Sequence, residues 1–275
     1  DMEDSVPLAE KAAARRQVIA TLEGAELGGR AVAVRINGLD TAEGYRDLLE
    51  VAEAVGMRLD TVVVPKVDHE GDVHAVDRIL AGVEKALSRE REVGIEVTIE
   101  SARGLERVAA IAGAVPRVQA LIFGVADYAA SVGARLVSLS GHGENEEAVY
   151  PGHRWHFALS RVVMAAKARG LAAIDAPYGH FRDPEGLARA AGIAAALGCD
   201  GKWAIHPDQV ETINRIFTPS DADIERARRI LEADAAARAA GRGAVAVDGR
   251  MVDQATVTLA RRLWEQARAL GLSEA

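Results

Sequence analysis

Residues 94–127 read GIEVTIESARGLERVAAIAGAVPRVQALIFGVAD, and their pattern decides the fold. A β-branched run, Ile95, Val97 and Ile99, is followed by an Ala/Leu/Arg segment over 103–113 and then by a second apolar run over 120–127. Short apolar runs of this kind are buried strands, and a helix-length segment between two of them makes the βαβ unit of a parallel sheet. Both runs end in a carboxylate, Glu100 and Asp127, where the chain should leave the core.

The same rhythm extends in both directions. AVAVRIN (31–37), TVVVPKV (61–67), LAAIDAP (171–177) and GKWAIHP (201–207) read as further buried strands. Segments 41–56, 70–89, 156–169 and 184–197 read as the helices between strands. The expected class is therefore α/β, an open parallel sheet or a barrel. The stretch 137–155, VSLSGHGENEEAVYPGHRW, has no periodicity and reads as a long loop over one end of the sheet. Beyond about residue 218 the pattern changes. Ser220 with Asp223 makes a capping-box start, Ile224, Ala227, Leu231 and Ala235 form one apolar face, and the turn VDGRMVD leads into a second helix near 255–270. Two domains are expected, 1–218 as the catalytic α/β domain and 219–275 as a helical extension. Six strand and helix units are visible where a closed barrel has eight. The opening DMEDSV reads as the last residues of a strand, which leaves an open sheet or a chain preceded by about two more strands.

Composition limits the partners. With 41 acidic against 33 basic residues, a formal charge of −8 and no Lys/Arg block, the chain lacks the footprint of a nucleic-acid or anionic-membrane binder. One cysteine, Cys199, cannot form an intrachain disulfide, and the first residues resemble no signal peptide. No apolar run approaches the roughly 18 residues of a membrane span, so a cytoplasmic protein is expected.

Catalytic groups of parallel α/β folds gather at the carboxyl ends of strands. Here that rim would hold Glu3, Asp4, Arg35, Asn37, Lys66, Glu100, Asp127, Asp175 and His206. Several acids with one Arg and one Lys suit a divalent cation acting on an anionic substrate, since Mg2+ takes hard oxygen ligands and only one or two carboxylates. Glu100 and Asp127, on consecutive strands, are the candidate metal pair. Each residue also has a structural reading: the acids as N-caps, Arg35 as an ion-pair partner, Lys66 as an ion pair rather than a Schiff-base amine, and His206 as a turn residue. Ser131, Ser138 and Ser140 lack a nucleophile elbow.

DMEDSV, VRINGLDT, VPKV, TIES, FGVADYAAS, GKWAIHPDQV, FTPSDADIERARRILEA and GRGAVAVDGRMVD together resemble the citrate lyase β-subunit-like (HpcH/HpaI aldolase) superfamily, and within it the L-malyl-CoA/β-methylmalyl-CoA lyases. The resemblance implies a (β/α)8 TIM barrel with a C-terminal helical lid, assembled as a homotrimer or homohexamer. It implies Mg2+ or Mn2+ on Glu100 and Asp127, catalytic Arg35, and a catalytic Asp253 delivered to a neighbouring subunit's site. Glu3 and Asp4 would stand near the metal and its waters. The implied substrate is an acyl-CoA thioester that is split to glyoxylate or another 2-oxoacid. Citramalyl-CoA or citryl-CoA cleavage, malyl-CoA thioester hydrolysis and a non-catalytic CoA-binding subunit are the alternatives. Relatives carry about two strands and a PGSRP-like loop before the acidic pair. Where they read DGPFGDFSD this chain has DAPYGHFRD, with His180 and Arg182, and the 137–155 loop lacks their DPW.

Overall fold

The computed structural model describes residues 1–136, 152–241, 245–247 and 249–273. They form two compact units, Asp1–Ile213 and Asn214–Ala275.

Among its described residues the first unit contains six strands, β1 (Ala33–Arg35), β2 (Thr61–Val64), β3 (Gly94–Ile99), β4 (Val118–Phe123), β5 (Ala172–Asp175) and β6 (Gly201–Lys202). Among the described residues the α-helices are α1 (Lys11–Gly24), α2 (Gly44–Val55), α3 (Glu70–Ala86), α4 (Ala102–Glu106), α5 (Val108–Ala112), α6 (Val125–Ser131), α7 (His156–Lys167), α8 (Pro184–Leu197), α9 (Val210–Phe217), α10 (Asp221–Ala239) and α11 (Gln254–Ala269). All six strands run parallel and in consecutive order. A doubly wound sheet reverses its order partway; this one does not. Helices follow the same sequence, α1 against α2, α2 against α3, α3 against α5, α5 against α7 and α7 against α8. Six flat strands would separate β1 from β6 by about 24 Å. Yet the guanidinium of Arg35, at the end of β1, lies 5.1 Å from the ring of Trp203, directly after β6. The sheet therefore curls strongly, bringing its two edge strands towards each other.

The central strands β2, β3 and β4 are largely buried on both faces, with Ile95, Val97, Ile99, Leu121, Ile122 and Phe123 at or near zero exposure. In α3 the buried Val73, Val76, Leu80 and Val83 keep helical spacing, and a His69/Asp72 capping box opens the helix. Pro184 starts α8 after the Asp183 cap, and Gly198 ends it at φ 99°, a conformation that suits glycine.

One helix was not anticipated and four expectations need correction. Helix α1 was not apparent, because its buried residues are Lys11 and Arg15 rather than an apolar stripe. Arg15 reaches Asp47 Oδ1 at 2.8 Å and Glu50 Oε1 at 2.9 Å, so an ionic network docks this helix. The single helix expected over 103–113 is divided at Arg107, whose side chain is held by Glu70 at 2.7 Å. The run expected to be strand through Asp127 stops at Phe123; Gly124 turns the chain and α6 begins, leaving Asp127 in its first turn. A carboxylate there is favoured by the helix dipole.

In the second unit Ser220 and Asp223 form the capping box of α10, which packs against α11. Ile224 and Ala227 are buried on α10, but Ala237 is buried where Ala235 was expected. The fourth correction is the turn between these helices, which is an antiparallel hairpin, β7 (Val245–Val247) with β8 (Arg250–Val252). Gly249, at φ 72°, lies within it. Among the described residues no helix is long and apolar enough to cross a membrane.

Candidate active site

Glu100 directly follows β3, and the next residue, Ser101, caps α4 by accepting the Gly104 N–H at 2.9 Å. The cap is therefore supplied, and Glu100 is left for another task at 5% exposure. Its Oε1 accepts the Lys66 backbone N–H at 2.6 Å. Gly124 N donates to Ile99 O at 3.1 Å, which brings the end of β4 so close that a methyl group at Gly124 would overlap Glu100 Cβ and Oε2. Burial, reinforced by the charges of Asp127 and Glu3, pushes the Glu100 carboxyl up to about 7 against the opposing pull of Lys66. Glu100, Asp127 and Glu3 thus share one electrostatic neighbourhood.

Lys66 has φ 54°, one of two positive-φ non-glycine residues among those described. Such a backbone costs about 1–3 kcal/mol and persists only where its surroundings hold it. Here it aims the N–H at Glu100 while the side chain turns to the other acids. Lys66 Nζ lies 2.8 Å from Glu3 Oε1 and 2.9 Å from Asp4 Oδ2. Burial opposes its charge, but the bonds to Glu3 and Asp4 outweigh that and raise its pKa, in keeping with an ion-pair role for this amine. Asp4 is held low: burial works against its charge, and the Lys66 hydrogen bond and charge prevail.

Arg35 closes the opposite side. Met2 N donates to Arg35 O at 3.0 Å, laying the first residues alongside the end of β1. The Arg35 fork holds the Asp1 carboxylate through Nε at 2.9 Å and Nη2 at 2.7 Å, and Nη1 stands 3.4 Å from Glu3 Oε2. The indole of Trp203 faces the same guanidinium. Glu3, Asp4, Arg35, Lys66, Glu100 and Asp127 are therefore linked by contacts or by shared charge.

Other candidates have structural partners. Asn37 gives its N–H to buried Asp47 at 2.9 Å. Asp175 pairs with Lys202 at 2.5 Å. His206 accepts the Asp208 N–H through Nδ1 at 3.2 Å and stacks on Phe181, in line with its reading as a turn residue. Ser131 Oγ accepts the Ala102 N–H at 2.9 Å. Ser138, Ser140 and most of the 137–155 loop lie outside the described residues. Asp253, in the second unit, is the N-cap of α11: its Oδ1 accepts from Thr256 N at 2.8 Å and Thr256 Oγ1 at 3.0 Å. These bonds lower its pKa.

Among the described residues, no three His, Cys, Asp or Glu side chains converge as a ready metal cage. The donor set still fits a hard divalent cation, which takes one or two carboxylates and fills its remaining positions with water and substrate oxygens. Glu100 is a buried carboxyl raised partly by two neighbouring acids, and a cation between these oxygens would relieve that repulsion. Sequence reasoning missed Trp203 and the part played by the Lys66 backbone; a lysine directly after proline at a strand end was the available signal for the second.

Residues 1–207 match the HpcH/HpaI aldolase/citrate lyase family. The chain belongs to that family. An L-malyl-CoA/beta-methylmalyl-CoA lyase of Cereibacter sphaeroides is 42% identical over 98% of this chain and 86% of its own length. A (3S)-malyl-CoA thioesterase of the same species is 35% identical over 98% and 86%. Among solved structures, CitE from Mycobacterium tuberculosis, in complex with magnesium, acetoacetate and coenzyme A, is 30% identical with a TM-score of 0.74, covering 98% of this chain and 88% of that one.

Proposed function

We propose that this chain is a divalent-metal-dependent carbon–carbon lyase that reversibly cleaves malyl-CoA or β-methylmalyl-CoA to glyoxylate and acetyl-CoA or propionyl-CoA. The observation that carries the reading is the cluster at the strand ends, where buried Glu100 shares its field with Asp127 and Glu3 and Arg35 stands on the other side. The names of the relatives support the same chemistry. The consecutive order of the six strands and the curl of the sheet support a (β/α)8 barrel as the full architecture, and the resemblance of its motifs supports 219–275 as a helical lid.

Glu100 and Asp127 would hold Mg2+ or Mn2+, with Glu3 and Asp4 beyond them. Bound there, the cation would supply Lewis acidity and a template for a carboxylate and an adjacent hydroxyl. Arg35, whose fork holds the Asp1 carboxylate, would exchange that partner for the thioester oxygen on which negative charge develops as the C–C bond breaks. The hydroxyl proton passes to solvent as the glyoxylate carbonyl forms, and the electrons of the broken C–C bond pass to the thioester as an enolate. Asp253 returns a proton to its α-carbon, or removes one in condensation. Its lowered pKa favours the carboxylate, the form that removes the α-proton in condensation; in cleavage it takes up a proton from solvent before passing it to the enolate carbon. The resemblance of GRMVD to the family's turn supports a contribution from one subunit to a neighbour's site within a homotrimer or homohexamer.

Condensation tests the reading directly: glyoxylate and acetyl-CoA, incubated with the protein and Mg2+, should give a thioester heavier by the mass of glyoxylate. A protein that hydrolyses malyl-CoA but never forms that adduct is the thioesterase instead, the second reading that the 35% identical relative favours.

A further inference from the structure

Four carboxylates crowd this rim, and only some of them can be ligands. Lys66 distinguishes them. Its backbone N–H serves Glu100 at 2.6 Å, while its ammonium is committed to Glu3 at 2.8 Å and to Asp4 at 2.9 and 3.1 Å. The residue reaches both groups because its backbone is left-handed, a geometry that side chains other than glycine seldom adopt. Glu3 is 4% exposed, and its second oxygen accepts the Asp4 N–H at 2.8 Å and faces Arg35 Nη1 at 3.4 Å. The side-chain oxygens of Glu3 and Asp4 are thus held by Lys66, by Arg35 and by the Asp4 N–H, and Lys66 reaches both acids. A fixed positive charge beside acids also repels a divalent cation.

Resting on the metal-dependent reading above, we propose that Lys66 is a positioning residue that sorts the acidic cluster. By pairing with Glu3 and Asp4 it withholds them from direct metal ligation, reserves the cation for Glu100 and Asp127, and moderates cation affinity so that coordination positions stay open for substrate.

The sign of the effect separates this role from a merely structural one. In Lys66→Gly the N–H to Glu100 remains and the positive φ becomes easy, so the variant should fold; the ammonium is lost together with its methylene chain. Mg2+ binding is measured by calorimetry on the substrate-free protein, alongside kcat and KM. The expected result is Mg2+ binding tightened roughly 3- to 10-fold, the scale of one solvent-screened charge interaction, with kcat lowered at least tenfold. Adding Glu3→Gln to Lys66→Gly should return Mg2+ affinity towards wild type. Lys66→Met, which keeps a similar volume at the original backbone strain, should show the same tightening. If Lys66→Gly binds Mg2+ with unchanged or weakened affinity while wild type binds normally, the sorting role is overturned. If wild type itself binds no Mg2+, the metal-dependent reading fails, and the proposal fails with it.

Discussion

Glu100→Gln separates the cost of the site from its use. The wild-type carboxyl is raised from an ordinary 4.5 to about 7, first by burial and then by the charges of Asp127 and Glu3. Each pH unit corresponds to about 1.4 kcal/mol, so holding Glu100 ionised costs the fold about 3 kcal/mol. The sign follows from the raised value: the folded state binds this proton more tightly than the unfolded chain. Its contribution is fully present below about pH 4.5 and is lost as pH rises through about 7. Glutamine retains the carbonyl that accepts the Lys66 N–H and carries no charge. In EDTA at pH 8, Glu100→Gln should therefore be more stable than wild type by up to about 3 kcal/mol, and the gap should close near pH 5. Adding Mg2+ at about a hundred times its dissociation constant should stabilise only the wild type, by about 2.7 kcal/mol. Urea denaturation at the two pH values, with EDTA or Mg2+, reads all four differences. A glutamine variant no more stable than wild type at pH 8, or one whose advantage is the same at pH 5, would refute the account of a strained, charge-crowded carboxylate.

Three further outcomes follow from the geometry. Gly124→Ala places a methyl against Glu100 Cβ and Oε2, so Mg2+ affinity should fall at least tenfold with overall helix content preserved, as read by calorimetry and circular dichroism. Arg35→Lys keeps the charge and loses the planar fork, and kcat should drop on the order of 10² to 10³ in a steady-state assay; a value near wild type would leave Arg35 as the structural partner of Asp1 and Glu3. Asp253→Asn keeps an N-cap as good as aspartate, so its melting temperature should match wild type while turnover falls roughly 10² to 10⁴, whereas Asp253→Ala should lose both turnover and about 1 kcal/mol of stability. An active Asp253→Asn would confine this residue to capping α11.

The sequence exposed the strands because buried parallel strands carry runs with little else in them; Ile95 to Ile99 and Leu121 to Phe123 are as buried as their composition implies. The helices with apolar spacing, such as α3, were equally plain. Helix α1 was not, since Lys11 and Arg15 point inward and pattern reasoning treats such residues as solvated. Glu100 was legible as a rim acid from its position after β3. The turn into α6 at Gly124 was hidden because Val125 and Ala126 continue the apolar run of β4 without a break. The pairing of Arg35 with Trp203 was beyond any local pattern: it joins the first and sixth strands and depends on how far the sheet curls. The work of Lys66 also escaped, because a backbone N–H and a φ of 54° leave almost no mark in residue type.

The central claim is that the acids and the arginine at the strand ends direct carbon–carbon cleavage that depends on a divalent cation. Incubation of malyl-CoA with wild-type protein in Mg2+, with parallel samples in EDTA and with Glu100→Gln, followed by mass analysis of all products, tests it most directly. The account predicts acetyl-CoA and glyoxylate in equal amounts from wild type in Mg2+, and neither product in the other two samples. Free CoA with malate as the products, or undiminished cleavage in EDTA, would contradict it.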